Sequence, residues 1–338
     1  SKYPDALRFK GGIVKEIFPV VLFMTLFATM VVCVSLYTEK DMSLNAIAIT
    51  VLSTVVSLLI SLRTNSAYDR FWEARKLWSQ LTFNIRNLSR NIWVLVSETK
   101  TSEDGCYHLE RQLKRATAGM LVAFCYAVKD HLAEAPLSND KICLFMQHIP
   151  GFIDQINRRG AKRAAPSFFS RLGASVKMAG RAHWLHRGQS STQTIRRKYR
   201  FPKPNVPNTI ALHFSAYISR LLKKGYIEGP MATNLHNGLN AIVDAFTSLE
   251  RIQRTPIPLA YSVHLHQSTW IFLLMLPFQL VAPLKWVAVP IVALAAFVLF
   301  GTLAIGEQIE NPFNGDENDL PLEFFCEVME HEINGITS

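Results

Sequence analysis

Residues 42–78 read MSLNAIAITVLSTVVSLLISLRTNSAYDRFWEARKLW, and their two halves decide the fold. The first half, 42–62, carries no Asp, Glu, Lys or Arg. As a helix rising about 1.5 Å per residue it can cross a hydrocarbon core of about 30 Å. A surface helix of a soluble domain would keep one charged face, and this stretch has none. The second half is charged and helix-forming, and no Gly or Pro separates the two. One helix is therefore expected to leave the membrane and continue to about Val96.

Outward from that stretch, three more segments lack charge: 17–38, 255–284 and 286–306. The expected architecture is an all-α membrane protein with four transmembrane helices per subunit and a large helical region outside the bilayer. If all four cross, only Lys40 and Lys285 fall on one side; the other 34 of the 36 Lys and Arg fall on the opposite side. Cationic loops stay cytoplasmic, and Lys10, Lys15, Arg63, Arg70, Arg251 and Arg254 flank the spans accordingly. The expectation is a multi-pass plasma-membrane protein with both termini inside. The net charge of +10 then describes a cytoplasmic surface, not a nucleic-acid binder.

The expected parts are a lead-in (1–16), spans one and two (17–62), a cytoplasmic helical region (63–254), spans three and four (255–306), and a C-terminal acidic loop with a short helix (307–338). Helices are expected near 107–132, 139–158, 208–224, 230–253 and 322–332, with a loop over 97–106. Between Gln155 and Ile227 there are 16 Lys and Arg and no acidic residue. Within that run, residues of about 157–207 read as a basic insert: a solvated loop by composition, a surface for anionic lipid headgroups, or a regulatory site for a soluble anion or for phosphorylation at Ser/Thr beside Arg. The five cysteines show no paired spacing, so free thiols are expected.

On span two, Thr50, Ser53, Thr54, Ser57 and Ser61 recur at three- and four-residue spacing, beside Thr54, Leu58 and Leu62 spaced four apart. Small hydroxylated residues serve close helix packing. They also serve a pore wall, with hydroxyl donors for a passing anion next to an apolar constriction. One helix cannot enclose a pore, so a channel implies several copies around an axis. Below the membrane, Arg63, Arg70 and Arg75 face Asp69 and Glu73, and interhelical ion pairs are the expected use of these charges.

RTNSAYDRFWEARKLW (63–78), RIQRTPIPLAY (251–261) and EQIENPFNGDENDLPLE (307–323) resemble the bestrophin family in order and spacing, and the LPLE ending is similar to its prokaryotic and fungal branch. The resemblance implies a homopentamer around a central pathway, with a neck at Thr54, Leu58 and Leu62 and polar lining at Thr50, Ser57 and Ser61. It departs from the family in having no aromatic ring at the neck. It further implies a passive conductor of chloride and other small monovalent anions. A channel or carrier for organic carboxylates and a cation-permeable homologue are the alternatives. A calcium clasp is implied at Gln308 and Asn311 (main-chain oxygens) with Asp316 and Asp319 (side chains), as a regulator and not a required cofactor. The competing reading of those residues is an Asx-rich turn that caps the last helix.

No enzyme signature is present: no phosphate-cradling Gly loop, no HExxH, no Ser/His/Asp set. His264 and His266 stand two apart and point to different faces of a helix, which does not suit a shared metal. His183 and His186 lie among arginines that repel a cation.

Overall fold

The computed structural model describes residues 12–38, 46–96, 104–135, 139–146 and 205–337. The basic insert and the links at 39–45 and 97–103 lie outside the described residues, as does the expected helix beyond Met146. Every regular element among the described residues is helical: α1 (Val14–Thr38), α2 (Ala46–Leu95), α3 (Asp104–Leu132), α4 (Asn139–Met146), α5 (Val206–Lys223), α6 (Gly229–Arg254), α7 (Leu259–Leu284), α8 (Ala288–Gln308) and α9 (Leu322–Thr337). The last helix runs past the expected 332 to Thr337, continuing through Gly335.

The chain packs as two compact units, Ser1–Ala74 with Thr255–Leu320, and Arg75–Arg254 with Pro321–Ser338. The first holds α1, the opening of α2, α7 and α8. Its core is apolar at helical spacing: Met24 and Ala28 of α1, Val56 and Ile60 of α2, Phe272 and Leu273 of α7, Val292 and Ala296 of α8. The α7 and α8 helices form a hairpin through a 3-10 turn at Lys285–Val287. Trp270 and Phe300 meet edge to face at 5.2 Å, whereas a straight helix would hold them about 45 Å apart. Phe23 of α1 packs on the same Trp270 at 5.9 Å. The outer faces remain apolar: Phe18, Leu26, Ile271, Leu294 and Val298 are all exposed in the single chain. Such a surface is a lipid or protein contact and not a water-facing one. Val14–Thr38, Ile49–Leu95 and Leu259–Gln308 are helical stretches long and apolar enough to cross a membrane.

The second unit is organised around α3, where every residue from Met120 to Val128 is buried. A helix apolar on all sides belongs at the centre of a bundle. Trp78, Leu81, Ile85, Leu88 and Ile92 present one face of α2 to this core at spacings of three and four. Asn205 caps α5, its side chain accepting from the Asn208 amide at 3.1 Å. The α9 helix is tied down by polar contacts: Arg86 grips Glu332 with two bonds of 2.6 Å, the Tyr126 hydroxyl donates to Glu330 at 2.7 Å, and Lys129 pairs with Glu323. The four cysteines with described side chains are free thiols. Burial pushes the Cys125 thiol up to about 12, which leaves it protonated and inert.

Candidate ion pathway

The opening of α2 has two opposite faces. Ile49, Val56, Ile60 and Ala67 are buried in the unit's own core. At about 100° per residue, Thr50, Thr54, Ser57 and Ser61 fall together on the far side, with Leu58 and Leu62 beside them. All six are exposed, Leu58 at 60% and Leu62 at 50%. Every residue expected to line a pathway therefore lies on the face that α2 turns away from its own chain. The hydroxyls are not equivalent. Thr54 Oγ1 donates to Thr50 O at 3.0 Å and Ser53 Oγ to the same carbonyl at 2.8 Å, so their protons are committed to the backbone. Ser57 and Ser61 make no hydrogen bond within the described residues, so their protons are available to an anion.

Arg63 follows on the packed face, three residues after Ile60, and its side chain is 2% exposed. Its Nη2 donates to Glu310 Oε2 at 3.0 Å. The other oxygen, Glu310 Oε1, accepts from the Ile257 amide at 3.0 Å, the one N–H between Pro256 and Pro258. The Glu310 carbonyl accepts from Arg70 Nε at 3.2 Å, while Arg70 Nη1 reaches Thr255 O. One carboxylate thus joins α2, the Pro-rich approach to α7 and the segment after α8. Arg63 Nε and Nη1 find no partner among the described residues. One turn before Glu310, Glu307 Oε1 lies 3.1 Å from His266 Nε2, and His266 Nδ1 lies 2.8 Å from Ser262 O. The ion pairs expected of the 63–78 charges are present for Arg63. The partner, Glu310, was not assigned from sequence. The signal was there in the rule that a charge beside an apolar span needs an opposite charge on another helix.

Gln308 ends α8, and Asn311, Asp316 and Asp319 lie in the turn that follows it. Asp319 Oδ2 accepts from the Asp316 amide at 3.0 Å, Asn311 Nδ2 donates to Asn314 Oδ1 at 2.7 Å, and Asn318 Nδ2 donates to Gln308 Oε1 at 2.9 Å. Gly315 supplies the left-handed step at φ 83°. Asn311 Oδ1 and Asp319 Oδ1 are buried without a partner among the described residues. Burial pushes the Asp319 carboxyl above its ordinary value, against the lowering effect of the Asp316 amide. The donors are all oxygens, which suits a hard cation in kind. Among the described residues no group of three or more His, Cys, Asp or Glu that could hold a metal is assembled, a count that leaves main-chain and amide oxygens such as those of Gln308 and Asn311 out of account.

Comparison with known families decides the lineage: the model of the bacterial and fungal bestrophin proteins matches residues 5–335. The chain belongs to that family. Among its bestrophin relatives is a voltage-dependent anion channel-forming protein of Nostoc sp., 32% identical over 334 residues, covering 98% of this chain and 91% of the relative. A protein of the same description from Synechocystis sp. is 32% identical over 330 residues, covering 98% and 90%. The crystal structure of a bacterial bestrophin homologue from Klebsiella pneumoniae superposes with a TM-score of 0.72 at 20% identity, covering 95% of this chain and 98% of that one. The bestrophin fold and the apolar helices together make this chain an integral membrane protein.

Proposed function

We propose that this bestrophin is one subunit of a homopentameric channel that passes chloride and other small monovalent anions passively down their gradient. Each subunit crosses the plasma membrane four times, through α1, α2, α7 and α8, with both termini inside. The α2 helices line the axis, with Thr54, Leu58 and Leu62 forming the neck and Ser57 and Ser61 supplying the donors. The observation that carries this reading is the exposed hydroxyl and leucine face of α2, directly opposite its packed face. A helix serving only its own chain has no use for such a face, whereas copies around an axis enclose it. The anion-channel names of the Nostoc and Synechocystis relatives support the polarity.

The mechanism needs no covalent chemistry. Anions gather on the cationic side, shed part of their hydration against serine hydroxyls, and pass a ring of leucines that closes by dewetting. Planar-bilayer recording of the purified protein under a KCl gradient tests it. The expected reversal potential lies at the chloride equilibrium potential, and one at the potassium potential rejects the reading. Leu58→Ala and Leu62→Ala are expected to raise conductance several-fold by widening the apolar ring; unchanged conductance in both would remove the neck from these positions. Organic carboxylates are the second reading, favoured by the small, polar Thr54 at the neck. Malate and chloride fluxes measured on one preparation separate the two.

A further inference from the structure

We infer that the second unit carries a binding site for a small hydroxylated carboxylate in the recess between α2 and α6. The recess has a volume of about 570 Å³, within the usual size of small-molecule pockets. Its polar wall is made by Asn84, Asn87 and Asn91 of α2, Asn234 and Asn237 of α6, and Arg90. The spacing of three and four on α2, and three on α6, puts each row on one helical face. The rows converge because α6 has Gly238 where the helices touch. A Cβ there would lie 2.7 Å from Leu88 Cδ2 and 3.0 Å from its Cγ, so the Leu88 side chain would have to shift to admit it.

Helix stability does not account for these residues. Asparagine is among the weaker helix formers because its amide competes with the backbone, and a merely solvated face would be built from Lys, Glu or Gln. Nor does the fold use the amides: within the described residues only Asn87 is engaged, its Oδ1 accepting from Arg90 Nη2 at 3.2 Å. Four carboxamides, each with two donors and an acceptor, are left aimed at one space. No Asp or Glu lines the recess, so an ammonium group has no counter-charge there. One guanidinium matches one carboxylate, and amides offering both donors and acceptors match hydroxyls. Exposed Phe83 supplies an apolar wall for a short carbon chain. The site rests on the recess's own lining residues and does not depend on the channel reading.

Calorimetric titration of the purified full chain with sodium gluconate, and with sodium acetate at matched ionic strength, tests the inference. Saturable gluconate binding is expected, with acetate about tenfold weaker because it lacks hydroxyls. Arg90→Gln is expected to weaken gluconate about tenfold through loss of the charged bond, and Asn234→Ala and Asn237→Ala several-fold, with ligand-free melting temperature and oligomer size unchanged. Absence of saturable gluconate binding, or binding that all three variants leave intact, overturns it. Dissociation of the ligand-free oligomer in Asn234→Ala or Asn237→Ala would assign the amides to a subunit contact and overturn it equally.

Discussion

Arg63 combines a full positive charge, burial at 2% exposure and two nitrogens without partners among the described residues. Glu310 is the counter-charge that makes its burial tolerable, and the same carboxylate satisfies the Ile257 amide. Removing one member of a buried pair strands the other, which costs about 3 kcal/mol or more. Arg63→Met should therefore lower the thermal midpoint of the purified protein sharply. Arg63→Met with Glu310→Gln should recover much of that loss, since the amide side chain of Gln still accepts from Ile257. A double variant no more stable than the single one would show that the charge pair is not the stabilising element. The hydroxyls of α2 carry the second residue-scale prediction. A hydrogen bond to a passing ion is worth about 1.5 kcal/mol, about tenfold in occupancy. Ser57→Ala and Ser61→Ala should lower chloride-over-potassium permeability by up to about tenfold. Thr54→Val, which loses a proton already committed to Thr50 O, should leave the ratio within about twofold. Gradient reversal potentials read both.

At the scale of elements, legibility followed locality. The 50-residue α2 was readable because nothing between Ala46 and Leu95 breaks a helix, and its exposed stripe was readable from three- and four-residue spacing. The hairpin of α7 and α8 was readable from Lys285 between two uncharged runs. What stayed hidden was pairing between elements distant in the chain. Glu310 is 247 residues from Arg63, and no local pattern joins them. The recess between α2 and α6 was hidden for the same reason, since its two asparagine rows become a site only when Gly238 brings them together. Another distant pairing gives a pH prediction. Glu250 of α6 accepts from His131 of α3 at 2.7 Å and from Arg254 at 2.7 Å. Burial pushes its carboxyl up, but the His131 bond and the Arg254 charge outweigh that and hold it below the ordinary 4.5. A depressed carboxylate stabilises fully above its unfolded value and loses that contribution as pH falls through the folded one. Wild type should thus melt above Glu250→Gln at about pH 6, and the gap should close as the pH drops below about 4.5. A gap constant across that window would remove Glu250 from the acid response.

For the whole molecule, the question is where selectivity between anions and cations arises, and two sources are separable. The chain carries 36 Lys and Arg against 26 Asp and Glu, and the proposed topology collects 34 of those cations on one side. A charged mouth of that kind concentrates anions through a field that salt screens, with a Debye length of about 10 Å at 0.1 M and about 3 Å at 1 M. Donors inside a narrow neck act at contact distance and are screened far less. If the mouth dominates, chloride-over-potassium selectivity should fall steeply as salt rises from about 0.05 M to about 1 M, and Ser57→Ala should matter little. If the neck dominates, selectivity should persist at high salt and depend on Ser57 and Ser61. In the proposed pore the neck is favoured, because the Ser57 and Ser61 hydroxyls have no partner among the described residues and lie beside Leu58 and Leu62, where little water competes. The Thr54 proton on the same face is held by Thr50 O. Reversal potentials of wild type and Ser61→Ala across that salt series decide between them. Selectivity that vanishes at about 1 M salt in both proteins would transfer the discrimination to the charged surface.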